Sequence, residues 1–363
     1  MPSCSFADSV LHWFSHSGRH HLPWQENPTP YRVWVSEIML QQTQVNTVIP
    51  YFQRFMAHFP DVHALAAAPL DEVLHHWTGL GYYARARNLH RSAVIVSNQL
   101  QGAFPGDVAG LCELPGIGRS TAGAILALGS GVRAAILDGN VKRVLCRYHA
   151  IEGWPDLPAV QKSLWGIAED ATPTTDFARF TQAMMDLGAT VCTRSKPACL
   201  LCPLQTGCQA HAAGRVGELP HRKPRKTLPR RTVCMLMCRT ASGHVLLEKR
   251  PAAGIWGGLW SFPEFADVAA AQQFCHAQGL GSSTTLESWP AVQHTFSHFH
   301  LEITPLLADA AQTPVTVMEA GRWLWYPLGP VSAPHTTAVG LAAPVKDLLQ
   351  RLARSLDSTG LPT

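Results

Sequence analysis

The sequence predicts a multidomain chain, an all-α domain followed by an α+β domain. Three observations carry that prediction. Apolar residues recur at helical spacing up to about residue 215 and at strand spacing beyond residue 231. Between the two patterns lies LPHRKPRKTLPRR at 219–231, where six Lys or Arg repel one another and three Pro interrupt regular structure, so it reads as a linker. The chain has 363 residues, more than one compact core usually holds.

Composition narrows the class. Hydrophobic residues make up 46% and charged residues 15%, enough for buried cores and against wholesale disorder. A net charge of +4 permits a polyanionic partner without demanding one. The N-terminus shows no signal-peptide pattern, and no run approaches eighteen apolar residues, so neither secretion nor a membrane span is expected. That places the chain in the cytosol or nucleus, where disulfides are uncommon. Clustered thiols then point to metal.

The elements follow in chain order. YRVWVSEIMLQQTQVNTVIPYF is apolar on almost every face and is expected to be one buried helix. DEVLHHWTGLGYYARARNLHRSAVIVSNQL adds further helical periods broken by Gly. In LCELPGIGRSTAGAIL a helix ends near Glu113, L-P-G-I-G turns tightly, and a second helix opens near Arg119. Gly116 and Gly118 are expected to take conformations a side chain would block and to expose backbone N–H groups to phosphate. This is a helix-hairpin-helix over about 111–126; the alternative is an ordinary helix–helix turn. Past the linker, TVCMLMCRT, HVLLEKRP and HFHLEITPLLA read as strands and DVAAAQQFCHAQGL as a helix, giving a second domain over 232–350. Residues 351–363 are expected to be a loose tail.

Two acids stand out. Glu37 has Val33, Trp34, Leu40 and Gln41 one helical turn away, so burial should raise its pKa and keep it protonated as a general acid. The alternative is a structural salt bridge to Arg32 or Arg85. Asp138, in AAILDGNVKRVLCRY, sits where it would cap a helix carrying Lys142, Arg143 and Arg147. The cap and those cations should hold it ionised. A protonated acid beside an ionised one is the division of labour that breaks glycosidic bonds.

Four cysteines, Cys192, Cys199, Cys202 and Cys208, follow the pattern C-x6-C-x2-C-x5-C. A four-thiolate zinc site uses the same ligands, but zinc ribbons usually show two C-x2-C pairs. The wider separations suit a [4Fe–4S] cubane. Spacing alone leaves both open.

Together these motifs resemble the endonuclease III superfamily of DNA glycosylases: LPGIG, then Asp138, then the four-cysteine loop. SEIMLQQTQV, GLGYYARARNL, LDGNVKRV, QAMMDLGA and FSHFH are similar to the adenine DNA glycosylases, the MutY family, within it, over about Phe6 to Leu349. The resemblance implies a helical domain over 1–218 that binds a [4Fe–4S] cluster through its 192–208 loop, and a Nudix-like lesion-recognition domain. It implies removal of adenine mispaired with 8-oxoguanine or guanine in double-stranded DNA, leaving an abasic site. Glu37 would protonate adenine at N7, Asp138 would stabilise the oxocarbenium-like sugar, and Asn140 would help position them. Gln42 and Tyr82 match positions that fill or wedge the stack. Trp24, Leu80, Lys142 and Gln182 join them as recognition positions. Phe296, Ser297 and His298 match the loop that senses 8-oxoguanine, although they could equally be an ordinary strand start.

Two departures matter. Ser120 stands where strand-cleaving relatives carry a catalytic Lys, so a monofunctional enzyme is expected. In GIWGGLWSFPEF only Glu264 stands where a Nudix box needs several acids, so nucleotide hydrolysis is not expected. A non-catalytic DNA sensor would not need both Glu37 and Asp138. A thymine-mismatch glycosylase would lack the long C-terminal half. The expected enzyme is a cytoplasmic monomer that meets DNA and, through it, other repair or replication proteins.

Overall fold

The computed structural model describes residues 5–223, 227–251, 254–280, 286–296, 298–310, 321–328 and 339–358. They gather into two compact units. One combines residues 5–67 with 88–223; the other combines 68–87 with 227–358.

The first unit is helical. Helix Pro30–Leu40 starts on a Thr29 cap that accepts from the Arg32 amide, with Pro at its first position. The expected single helix is in fact two, the second being Val45–His58. The break falls on Gln41-Gln42-Thr43-Gln44, four polar side chains that a buried helix cannot accommodate, and Gln42 takes a left-handed φ of 58°. The hairpin appears where the sequence places it, between helices Val108–Glu113 and Arg119–Ala124. Gly116 has φ 84°, and a Cβ there would lie 2.8 Å from the Asn88 Cβ. Gly118 corrects the expectation: its φ is −97° and a Cβ would meet open space, so its backbone is one any residue adopts. Helix Gly139–Tyr148 begins on Asp138. Its apolar side, with Val141, Val144 and Leu145, joins Phe14, Leu164, Phe180 and Met184 in one core.

The second unit is built on a sheet with a parallel centre. Strand Arg230–Thr240 pairs with His300–Ala310 over their full length, Arg230 facing His300 and Thr240 facing Ala310. A parallel pair needs a crossover, and helix Val268–Ala277 lies in the connection. Cys234, Leu236 and Cys238 pack with Ala271 and Cys275 of that helix. Met235 and Met237, on the opposite face, are equally buried, so both faces are covered. Antiparallel His244–Lys249 and Trp323–Pro327 extend the sheet, with Val245 opposite Tyr326.

Three segments depart from the boundaries read in the sequence. Residues 68–87, helical in pattern, belong to the second unit: Tyr83 Oη donates to the Leu341 carbonyl at 2.9 Å and Lys249 pairs with Asp71 at 2.8 Å. The linker is not a free tether at its ends. Leu219 is buried and its carbonyl accepts from Arg147 Nε at 2.9 Å, His221 meets Glu152 at 2.7 Å, and Arg230 and Arg231 are already strand. The expected tail is helical as far as Ser358, within Ala343–Ser358, because Val345, Leu348, Leu349 and Leu352 present one buried stripe.

Candidate active site

A cleft of about 960 Å³ in the helical unit collects residues far apart in sequence. Glu37, Gln42, Ser120, Asp138, Asn140 and Gln182 all line it. Trp24 and Glu37 also line an adjoining cavity of about 250 Å³. Each acid is half-buried, and what surface it retains opens into these cavities.

Burial, followed by the charge of Asp138, pushes the Glu37 carboxyl up to about 8. No hydrogen bond to that carboxyl is found among the described residues. The salt-bridge alternative does not hold. Arg32 Nη2 donates to the Pro23 carbonyl at 2.7 Å, and Arg85 Nη2 donates to the carbonyls of Leu80 and Gly81.

Asp138 accepts from the amides of Asn140 at 3.1 Å and Val141 at 2.8 Å, and from Asn140 Nδ2 at 2.9 Å. The cap is as expected but its electrostatic outcome is not. Burial outweighs these donors and the Arg143 charge, so Asp138 too is raised above the usual carboxylate value. The two acids still differ in kind, since three hydrogen bonds favour the charged form of Asp138 and none favours that of Glu37.

A second layer holds Asp138 in place, and within it the sequence reading gives Arg143 only as a charge. Arg143 Nη2 donates to Asn140 Oδ1 at 2.9 Å and to the Gly188 carbonyl at 2.6 Å, and Nε donates to the Cys192 carbonyl at 2.6 Å. At Gly188 a Cβ would come within 2.5 Å of the Asn140 Cβ, so only glycine lets these segments approach. Ser120 Oγ accepts from the Leu137 amide at 3.0 Å, bracing the residue before Asp138. Asp186 was missed altogether. It is fully buried, pairs with Arg19 at 2.6 Å and accepts from Gln182 Nε2 at 2.9 Å. Its helical spacing of four from Gln182 is the signal that could have found it.

The other predicted residues lie elsewhere. Lys142 is paired with Asp156 at 2.5 Å and is not among the cleft residues. Leu80 and Tyr82 belong to the second unit. Leu80 is buried, whereas Tyr82 is 51% exposed at a left-handed φ of 47°, with Arg85 5.5 Å from its ring. In the same unit Phe296 stacks on Phe299 at 4.6 Å and packs against Trp256 at 5.3 Å. His298 is exposed, and Ser297 lies outside the described residues. Glu264 is paired with Arg250 at 2.5 Å.

The four cysteines of the 192–208 loop line one small apolar cavity with Arg147, whose Nη1 lies 3.3 Å from Cys192 Sγ. No three of these sulphurs lie within 4.8 Å of one another. A tetrahedral zinc at about 2.3 Å from each would draw sulphurs to about 4 Å apart.

A helix-hairpin-helix beside a cleft with two perturbed acids defines a base-excision glycosylase. The helical unit matches the HhH-GPD superfamily base excision DNA repair proteins over residues 35–170, and the second unit matches the NUDIX domain over 233–351. The chain is 38% identical to an adenine DNA glycosylase of Buchnera aphidicola from Acyrthosiphon pisum, over 97% of this chain and 98% of that one. It is 36% identical to the human adenine DNA glycosylase, over 88% of this chain and 70% of that one. A solved thermostable thymine-DNA glycosylase shares the helical fold, with TM-score 0.53 and 27% identity over 57% of this chain and 95% of that one. The chain belongs to the adenine DNA glycosylase family. It is a base-excision-repair glycosylase that acts on adenine by hydrolysing N-glycosyl bonds.

Proposed function

We propose that the adenine removed is the one mispaired with 8-oxoguanine or guanine in double-stranded DNA. The observation that carries the reaction is the Glu37 carboxyl, raised to about 8 and facing the same cleft as Asp138. Adenine leaves poorly because departure puts negative charge on the ring. Protonated Glu37 delivers a proton to N7 and removes that obstacle. Ionised Asp138, held by Asn140 and the helix N-terminus, stabilises the positive sugar that results. Water then completes hydrolysis. The base reaches these groups only when flipped from the duplex; by the family resemblance, Gln42 and Tyr82 fill or wedge the stack it leaves.

Specificity for the opposite base is assigned to Phe296, Ser297 and His298 on their resemblance to the family's sensing loop. The aromatic support beneath Phe296 suits a stacking role. Cys192, Cys199, Cys202 and Cys208 would hold a [4Fe–4S] cluster, whose wider sulphur spacing fits better than a single zinc. When bound it supplies folding energy to the loop and visible thiolate-to-iron absorption. The enzyme is a cytoplasmic monomer, meets other repair or replication proteins on DNA, and is monofunctional because Ser120 supplies no amine. The test is product analysis on duplexes with adenine opposite 8-oxoguanine, guanine and thymine. Adenine opposite the first two is released, and strands break only after alkali. Equal release opposite thymine would overturn the mispair reading, and strand breakage without alkali would overturn the monofunctional one.

A further inference from the structure

We infer that Asp186 is the positioning residue that makes the cleft read a 6-amino purine and reject a 6-oxo purine. This rests on the adenine reading above and concerns how that base is chosen. Gln182 lines both the cleft and the cavity beside Glu37, and its side-chain amide carries a donor end and an acceptor end. An amide free to turn would accept either kind of base. Here it is not free. Asp186, one turn further along helix Phe177–Asp186, is 0% exposed, and its Oδ1 lies 2.9 Å from Gln182 Nε2. An ionised carboxylate only accepts hydrogen bonds, so the NH₂ end of Gln182 must face it. The carbonyl end is left for the cavity.

The carboxylate is held in place by Arg19. Oδ1 also accepts from Arg19 Nε at 3.0 Å and Nη2 at 2.6 Å, and Oδ2 accepts from the Arg19 backbone amide at 2.7 Å. The same bonds engage two of the guanidinium donors of Arg19, which itself lines the cleft. What this end of the cleft offers is therefore an acceptor. The exocyclic amine of adenine donates to it. Hypoxanthine, the same purine with oxygen in place of that amine, sets lone pair against lone pair, and an unmatched buried polar contact is costly.

The experiment is single-turnover release of adenine and of hypoxanthine, each opposite 8-oxoguanine, by the full chain. Intrinsic differences between the two leaving groups are common to all variants and cancel in comparison. Asp186→Ala frees the amide and should lower the adenine-to-hypoxanthine ratio by about tenfold or more. Gln182→Met, which keeps length but removes both polar ends, should fall to the same ratio, and the double variant should fall no further. If Asp186 serves only as a buried ion pair joining Arg19 to its helix, both rates drop together and the ratio stays fixed, which overturns the inference. Where Asp186→Ala fails to fold, Gln182→Met decides alone, an unchanged ratio again overturning it. A wild-type chain that releases no adenine opposite 8-oxoguanine or guanine would defeat the mispair reading itself and take this inference with it.

Discussion

Glu37 and Glu264 are two half-buried carboxyls in unlike surroundings. Both stand in segments that the sequence marks for chemistry, one in each unit. Glu37 is enclosed by helices, has no hydrogen-bond partner among the described residues, and is raised to about 8. Glu264 lies at 2.5 Å from Arg250, which gives its charge a partner. A carboxyl that burial leaves without a donor holds its proton near neutral pH and can deliver it. A carboxyl paired with an arginine is tied into the fold by that contact. The helical unit thus holds the acid suited to the proposed reaction. The second unit contributes surfaces: an exposed Tyr82 on a left-handed turn, and Phe296 on an aromatic base.

The comparison can be broken most directly by removing the acids. Glu37→Gln and Asp138→Asn should each slow single-turnover adenine release by about 10³-fold or more, with DNA binding retained, while Glu264→Gln should change it less than about twofold. A comparable loss from Glu264→Gln would erase the distinction. The pH profile sharpens it. Because Glu37 must be protonated, kcat/KM should fall by about tenfold per pH unit above about pH 8. Glu37→Gln has no such limb.

The second unit's part is tested by the lesion preference. Ser297→Ala combined with His298→Ala should lower the preference for 8-oxoguanine over guanine by roughly five- to 150-fold, corresponding to about 1–3 kcal/mol of lost base contacts. Chemistry on saturating 8-oxoguanine substrate should fall much less than in Glu37→Gln. An unchanged ratio in a competition assay would reduce those residues to strand packing.

The smallest expected effect is on stability. The folded pKa of Glu37 lies above its ordinary value of 4.5, so the fold favours the protonated form. That contribution is complete below pH 4.5 and is lost as pH rises through about 8, where the fold must bury a charge. Glu37→Gln should therefore raise the Tm at pH 9 by roughly 2–8 °C, and change it less at pH 5. A Tm difference independent of pH would place the Glu37 carboxyl in water.

Local patterns were legible because they depend on neighbours in the chain. The hairpin helices end and begin at Glu113 and Arg119, Asp138 caps the next helix, and the strands beginning at Arg230 and His300 lie where alternation set in. The burial of Glu37 followed from Val33 and Trp34 one turn away. Where the reading erred, a distant partner or a loss of solvent intervened. Asp138 is raised and not lowered, because desolvation is a property of the closed cleft and not of the cap. Gly118 needs no special backbone, since the turn's left-handed position falls on Gly116 alone.

By itself the sequence determined which side chains could do chemistry: two acids, four grouped thiols and a hairpin turn are written into short stretches whose geometry the backbone enforces. Tertiary structure decided which of them meet and which are neutralised. Arg19 reaches Asp186 across 167 positions, Arg250 takes Glu264, and residues 68–87 join the second unit through Tyr83 and Leu341. Hydrogen bonds and desolvation act over a few ångströms of space, and spacing along a chain reports such distances only within a turn or two of helix.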